Sequence, residues 1–592
     1  METPRKSMAL GFPDSHTPSD TLSTLPESII FRIFSFLDPN QTVRLNLVSK
    51  KFRLLCLNSP YLYFSADFDS STNSLARYSQ FCNYVDNVMK LRASLGIGID
   101  RFLFHWFCKQ PRFNIGAQLL GSCLKWATVS NVRELDILVY FLNRWNMSTY
   151  SLPHCVYECQ SLRILRLNLQ MGNFGLESRK MDFVEVFLLI SVNIFDMKFG
   201  EKISSFWTSL RRLNLDKVKC IHDIYIKTSS LEELELSNCE IGRLYSDWIL
   251  SIASSSLKSV SVSRCHFKSS CRSFLDCPSL MNFSVIGSVF DMPSTFKMAS
   301  QSLDNLGICS SNFKKSCSLY ISCPAIKQIK INGCRFKELC SLKMNSISLD
   351  VLNVSDCEFI YADEKISESG CQKRINVFAQ RLQTLTINSS DKYSYKFPLC
   401  ISAPSLQAII WKGNPVDFSY LKSFMSLEYA RIDIQPSCQH KSKKLASRCK
   451  LFMGSIYSVA VLLQSLKDVK SLEINVWPIE LFFMQNDEPI IFKNLLHLFL
   501  LVNDLSAEQL SGIASFLKGL PNLITLVVKC EKKSALRGDP ELIVLLGLCP
   551  KAFTVSFSED SKQLKIARGN AQGVDVDDNF IKCTSVGMET AT

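Results

Sequence analysis

Five phenylalanines, Phe267, Phe290, Phe313, Phe336 and Phe359, stand 23 residues apart in this chain. Two residues before each is Cys265, Ser288, Ser311, Cys334 or Cys357, and eight residues earlier again is Leu257, Leu280, Leu303, Ile326 or Leu349. Between these markers lie the apolar pairs Val260/Val262, Phe283/Val285, Leu306/Ile308, Ile329/Ile331 and Leu352/Val354. Each pair alternates with its neighbours, so every repeat contributes a short strand with one buried face. One such strand cannot bury that face alone. Stacked at a fixed period, the strands build a continuous parallel sheet over one long core. The period therefore restricts this part of the chain to a solenoid.

The pattern continues less regularly on both sides. Upstream are Leu135/Ile137, Leu165/Leu167, Leu213/Leu215 and Leu234/Leu236; downstream are Leu385/Ile387, Leu472/Ile474, Leu498/Leu500 and Leu526/Val528. Prolines recur two residues ahead of the first apolar position at Pro278, Pro324, Pro404, Pro521 and Pro550, where they stiffen the entry to a strand without removing a donor from its middle. A repeat of 23 leaves little room for a long returning helix, so short helices, 3₁₀ turns or extended segments are expected there. Regions 171–208 and 432–468 fit poorly and read as insertions or diverged repeats. Within the second, Ile456, Val459, Leu462, Leu463 and Leu466 share one helical face.

Near the start, Leu25-Pro26 precedes Ile29, Ile30, Ile33, Phe34 and Leu37, one wide face of a helix. Thr24 and Glu27 have capping-box spacing. Asp38-Pro39-Asn40 ends that helix, and two more follow, near Thr42–Val48 and Lys50–Leu57. About forty residues cannot bury so many large apolar side chains in a core of their own, so part of the surface is expected to meet a partner.

Leu25-Pro26, Phe34-Ser35-Phe36-Leu37 and Val48-Ser49-Lys50-Lys51-Phe52 resemble an F-box, with Phe52 where that family usually has Trp. The 23-residue units resemble leucine-rich repeats. Cys277-Pro278-Ser279-Leu280, Cys323-Pro324-Ala325-Ile326 and Ala403-Pro404-Ser405-Leu406 resemble the plant F-box/leucine-rich-repeat proteins. The resemblance implies an α/β chain, a small three-helix F-box followed by a curved parallel-sheet solenoid. It implies docking to an SKP-type adaptor and, through it, a cullin-RING ubiquitin ligase. Leu25, Pro26, Ile29, Ile33, Phe34, Leu37, Leu47, Val48 and Phe52 are the expected adaptor-facing residues. The map is then 1–20 disordered, 22–64 F-box, 65–125 a connecting helical or irregular segment, 126–558 solenoid and 566–592 a disordered tail.

The remaining composition excludes more than it specifies. Net charge is +13, spread along the chain, with the densest run at Lys441, Lys443, Lys444, Arg448 and Lys450; a solvated loop is its expected role. The greasiest run, Val186–Phe195, is too short to span a bilayer, and no signal-peptide core follows the N-terminus. A nuclear or cytoplasmic location is expected. The 24 cysteines include no C-x-x-C pair, and Cys155 and Cys159 beside His154 lack a second pair, so core packing is expected rather than metal binding or disulfides. No metal or cofactor is expected. Seven scattered histidines and the absence of a nucleophile elbow or phosphate loop point away from catalysis.

In each strand, the residues alternating with the buried pair form an open face. Glu233, Glu235, Ser259, Ser261, Asn282, Ser284, Gln328, Lys330 and Asn353 are the candidate substrate-binding residues on it. The face is rich in hydroxyls and amides, with little basic charge and no ladder of aromatic rings, whereas nucleic acid requires both. A protein substrate is expected. A ligand-dependent receptor on the same scaffold and a ligase-independent interaction scaffold remain as alternatives.

Overall fold

The fixed period becomes a ladder of parallel strands in the computed structural model. The structure describes residues 25–37, 39–68, 74–108, 115–141, 149–243, 247–359, 374–388, 398–413, 417–421, 424, 426–434, 459–483, 490–502, 507–530, 552–557 and 563–567. The chain divides into two compact units, one of residues 1–173 with 179–190 and one of residues 174–178 with 191–592.

The first unit opens with α1 (Glu27–Phe34), α2 (Pro39–Val48) and α3 (Lys50–Asn58). Pro39 starts α2, where its missing N–H costs nothing, as well as ending the preceding helix. Pro26 is the N-cap of α1, no side-chain hydrogen bond caps it, and Glu27 is the first helical residue; the Thr24 half of the expected capping box lies outside the described residues. Capping is found instead at α3, where Ser49 Oγ accepts from the Phe52 amide at 3.1 Å.

Residues 65–125, expected as a connecting helical or irregular segment, hold helices and strands in alternation. Strand β1 (Tyr61–Phe68), α4 (Ser74–Ser94), β2 (Arg101–Cys108), α5 (Ile115–Val129) and β3 (Glu134–Phe141) alternate, and β1, β2 and β3 pair in parallel register. These turns are long enough to return by a helix. Strands β1 and β2 bury the aromatic residues Phe64, Phe102, Phe104 and Trp106, which do not repeat the leucine pattern. Arg92 of α4 is buried and donates to the carbonyls of Ser59 at 2.8 Å and Gly98 at 3.2 Å, joining the end of α3 to the entry of β2. Burial lowers its pKa to about 10, which leaves the guanidinium charged at neutral pH.

The second unit carries the 23-residue repeats. Its leading sheet runs in parallel from Arg212–Asp216 through Glu233–Ser237, Ser259–Ser263, Asn282–Ile286, Asn305–Cys309, Gln328–Asn332 and Val351–Ser355. It continues to Ala552–Phe557, where the strand Gln563–Ala567 pairs antiparallel. After the leading strands from Glu233–Ser237 to Val351–Ser355 the chain turns through a residue with positive φ: Asn238, Arg264, Gly287, Ser310, Gly333 and Asp356 form this column. The next position holds the recurrent cysteine or serine. Cys239, Cys265, Cys334 and Cys357 donate from Sγ to backbone carbonyls of their own and the preceding repeat. Ser288 and Ser311 use Oγ in the same place and also accept an amide from the repeat before. Beside this ladder, Phe267, Phe290, Phe313 and Phe336 stack with centroids 4.5, 4.6 and 4.8 Å apart and rings within 6° of parallel.

The return path in the middle repeats is a second parallel sheet. It pairs Ile224–Lys227, Asp247–Ala253, Ser270–Asp276, Ser294–Ala299, Asn312–Ser322, Arg335–Ser346 and Arg374–Ala379 in order. Of the three options left open by the sequence, the extended one is realised here, and it forms a continuous sheet. Helices Val476–Phe483 and Ala507–Lys518 replace it in the longer C-terminal repeats. Residues 459–465 are helical, with Val459, Leu462 and Leu463 buried as the periodicity predicts; Ile456 and the lysine-rich run at 441–450 lie outside the described residues.

Candidate protein-docking surfaces

The first surface is built on the N-terminal helices. Ile30, Phe34, Phe52 and Leu55 form their core, with Leu25, Phe31, Leu37, Leu45 and Cys56 packed against it. Phe34 and Phe52 are 4% and 6% exposed. These two side chains hold α1 against α3, with ring centroids 6.5 Å apart, and present little area to a partner. The expected nine adaptor-facing residues are thus divided by burial. Ile29, Leu47 and Val48 are open, Leu47 at 79% and Val48 at 66%; Pro26 is exposed; Leu25, Ile33 and Leu37 are intermediate. Sequence reasoning missed Phe36, 78% exposed, and Leu54, also exposed. The signal for Phe36 was its spacing: two residues after Phe34, it falls on the opposite side of a helical turn. Large apolar side chains left in water within so short a segment mark an interaction site.

The second surface is the open face of the leading sheet. Strand register places the candidate residues in rows. One row runs Arg212, Glu233, Ser259, Asn282, Asn305, Gln328, Val351, and the next runs Asn214, Glu235, Ser261, Ser284, Gly307, Lys330, Asn353. All nine candidates therefore lie on one face, and their neighbours differ sharply. Glu233 is tied to Arg212 Nε at 2.5 Å, and Glu235 accepts from Asn214 Nδ2 at 2.7 Å. Ser284 Oγ donates to Ser261 Oγ at 3.3 Å, and Asn305 Nδ2 donates to Asn282 Oδ1 at 3.4 Å. Among the described residues, no carboxylate lies in ion-pair range of Lys330. It stands beside Gly307, above which there is open space, with Ser284 on the far side. The result is a notch one strand wide, walled by a hydroxyl and an ammonium group. The buried Oδ1 of Asn353 beside Lys330 has no hydrogen-bond partner.

Cys220, Cys271 and Cys277 are buried. Burial raises Cys220 and Cys271 to about 12 and Cys277 to about 11, so none forms a thiolate at neutral pH. Among the described residues no group of three or more His, Cys, Asp or Glu side chains is placed to hold a metal ion, and no helix is long and apolar enough to cross a membrane.

The F-box-like family model matches residues 22–69. An FBD-associated F-box protein of Arabidopsis thaliana is 29% identical over 153 residues, 24% of this chain and 34% of the relative. An F-box/LRR-repeat protein of the same plant is 24% identical over 237 residues, 37% of this chain and 43% of the relative. A further FBD-associated F-box protein is 27% identical over 236 residues, 38% and 52% of the two chains. The matched stretches thus span about a third to a half of the relatives' lengths.

Proposed function

We propose that this chain, a plant-type F-box/leucine-rich-repeat protein, is the substrate-recognition subunit of an SCF-type cullin-RING ubiquitin ligase. The observation that carries the reading is the F-box-like match over residues 22–69 on a helical segment that leaves Phe36, Leu47 and Val48 in water. Those side chains dock an SKP-type adaptor, while Phe34 and Phe52 keep the helices in place behind them. The leading sheet holds a protein substrate through hydrogen bonds, with the notch at Gly307 receiving a substrate side chain to which Lys330 donates. The chain contributes no reacting group. It accelerates ubiquitin transfer by fixing the substrate near a recruited conjugating enzyme, converting a bimolecular encounter into a local one. Such a complex works in the nucleus or cytoplasm.

The test has two arms. The full chain, mixed with an SKP-type adaptor and a cullin-RING core, should elute as one complex; separate elution would overturn the docking assignment. Gly307→Tyr fills the notch at a strand position with room for a side chain and no positive φ, so the fold should be kept. Proteins captured by the wild type and lost by the Tyr variant are the substrates of this face. Identical capture by both would place recognition elsewhere.

A further inference from the structure

The return sheet carries a second row with the repeat's own period. Phe274, Lys297, Tyr320 and Lys343 are each 23 residues apart in sequence and occupy one register line across four neighbouring strands. Strand neighbours lie roughly 4.8 Å apart, which puts the two lysines about 10 Å apart on either side of Tyr320. Their side chains lie along the rings. Lys297 Nζ sits 5.5 Å from the Phe274 centroid and 5.9 Å from that of Tyr320, and Lys343 Nζ sits 5.7 Å from Tyr320. No carboxylate among the described residues lies in ion-pair range of either lysine, whereas Arg272, Lys268, Lys314 and Arg335 nearby are paired with Asp247, Glu240, Asp291 and Glu358. The row lines an open groove of about 1220 Å³, while the alternating residues Leu275, Met298 and Met344 turn inward and are buried. Asp276 stands at its rim.

We propose that this groove is a docking site for an acidic, extended segment of a partner protein, bound across the strands of the return sheet. Charge complementarity selects the occupant: two cations held by cation–π contact and lacking carboxylates match two carboxylates about three residues apart in an extended chain, where three residues span about 10 Å. Tyr320 between them offers an apolar seat for the intervening side chain. Nucleic acid is the poorer match. The ring faces are already engaged by lysine, and two cations neutralise few phosphates. This surface is separate from the leading sheet, and its occupancy is independent of the substrate assignment above.

The experiment uses the full chain and fluorescein-labelled peptides built from repeats of Asp-Pro-Leu, with Asn-Pro-Leu and Lys-Pro-Leu repeats as controls. The acidic peptide should bind, and the Asn peptide should bind at least about tenfold more weakly. Lys297→Glu with Lys343→Glu should cost the acidic peptide at least the same factor and gain binding of the Lys peptide, while circular dichroism and adaptor binding stay unchanged. Failure of the acidic peptide to bind, or equal binding by the double variant, would overturn the proposal. Tighter binding of a dT oligonucleotide than of the acidic peptide, lost in the same variant, would replace the peptide with nucleic acid.

Discussion

Phe34 and Phe36 are two residues apart and should fail in opposite ways. Phe36 is 78% exposed, so about 150 Å² of ring and stem is available to an adaptor. At about 25 cal/mol per Å², burying it would contribute up to ~4 kcal/mol. Ordering the side chain and imperfect packing reduce that to ~2–3 kcal/mol, the range of an interface hot spot. Phe36→Ala should therefore weaken adaptor binding by roughly 30- to 150-fold. Helix content and the protection of α1–α3 amides should stay as in the wild type, because the ring is mostly in water and is not part of the buried cluster. Phe34→Ala removes a ring that is 4% exposed and packs 6.4 Å from Phe31 and 6.5 Å from Phe52. Large-to-small core changes of this kind cost ~3–5 kcal/mol. A segment this small has little stability to lose, so amide protection in α1–α3 should collapse and adaptor binding with it. Titration calorimetry with the adaptor, run beside hydrogen exchange on the full chain, separates the two. Near-wild-type affinity for Phe36→Ala, or lost affinity for Phe34→Ala with protection intact, would refute the division of this segment into core and docking faces.

Three further outcomes follow from the repeats. Phe313→Ala, at the centre of the ring stack, should destabilise its repeats by ~3–5 kcal/mol by urea unfolding, with loss of exchange protection concentrated in the strands beside it and adaptor affinity unchanged. Asp291 lies 2.7 Å from His266 Nε2 and 3.0 Å from Lys314 Nζ; burial pushes its carboxyl pKa up, but the bonds from Lys314 and His266 outweigh this and hold it below the ordinary value. Its contribution is present above the usual carboxylate pKa of about 4 and is lost as pH falls through the lower folded value, so Asp291→Asn should cost ~0.5–1 kcal/mol near neutrality and the gap should close in acid. Changing Ser261, Ser284 and Lys330 together to Trp, Trp and Glu should abolish substrate capture in a pull-down while adaptor binding persists; retained capture would count against the leading face.

The leading strands, the cysteine ladder and the phenylalanine column were legible because each places one residue type at one position of a fixed period. The return sheet was not, because its buried positions are mixed. In Ser270–Asp276 the inward residues are Cys271, Ser273 and Leu275 while Phe274 points outward, so hydropathy does not alternate although burial does. The strands β1 and β2 were read as part of a connector for a similar reason: Phe102, Phe104 and Trp106 fill the core in place of leucine. At the docking helices, periodicity found the apolar residues but could not tell which of them the three helices consume among themselves. That distinction needs the packing of Phe34 against Phe52, which joins residues in two different helices.

The left-handed column that ends each leading strand also sets how the chain can change length. Because Arg264, Gly287, Ser310 and Gly333 turn the backbone at the same place in successive repeats, any whole repeat can be excised and its neighbours will still meet rung for rung. Removing residues 282–304 would set Ser259 beside Asn305, Cys265 beside Ser311 and Phe267 beside Phe313, with every turn preserved. The loss of one or two residues instead would offset the ladder, the ring stack and both sheets together. Length variation in such a chain is therefore quantised, and each step moves the notch at Gly307 one strand spacing, roughly 4.8 Å, relative to the acidic end of the face at Glu233 and Glu235.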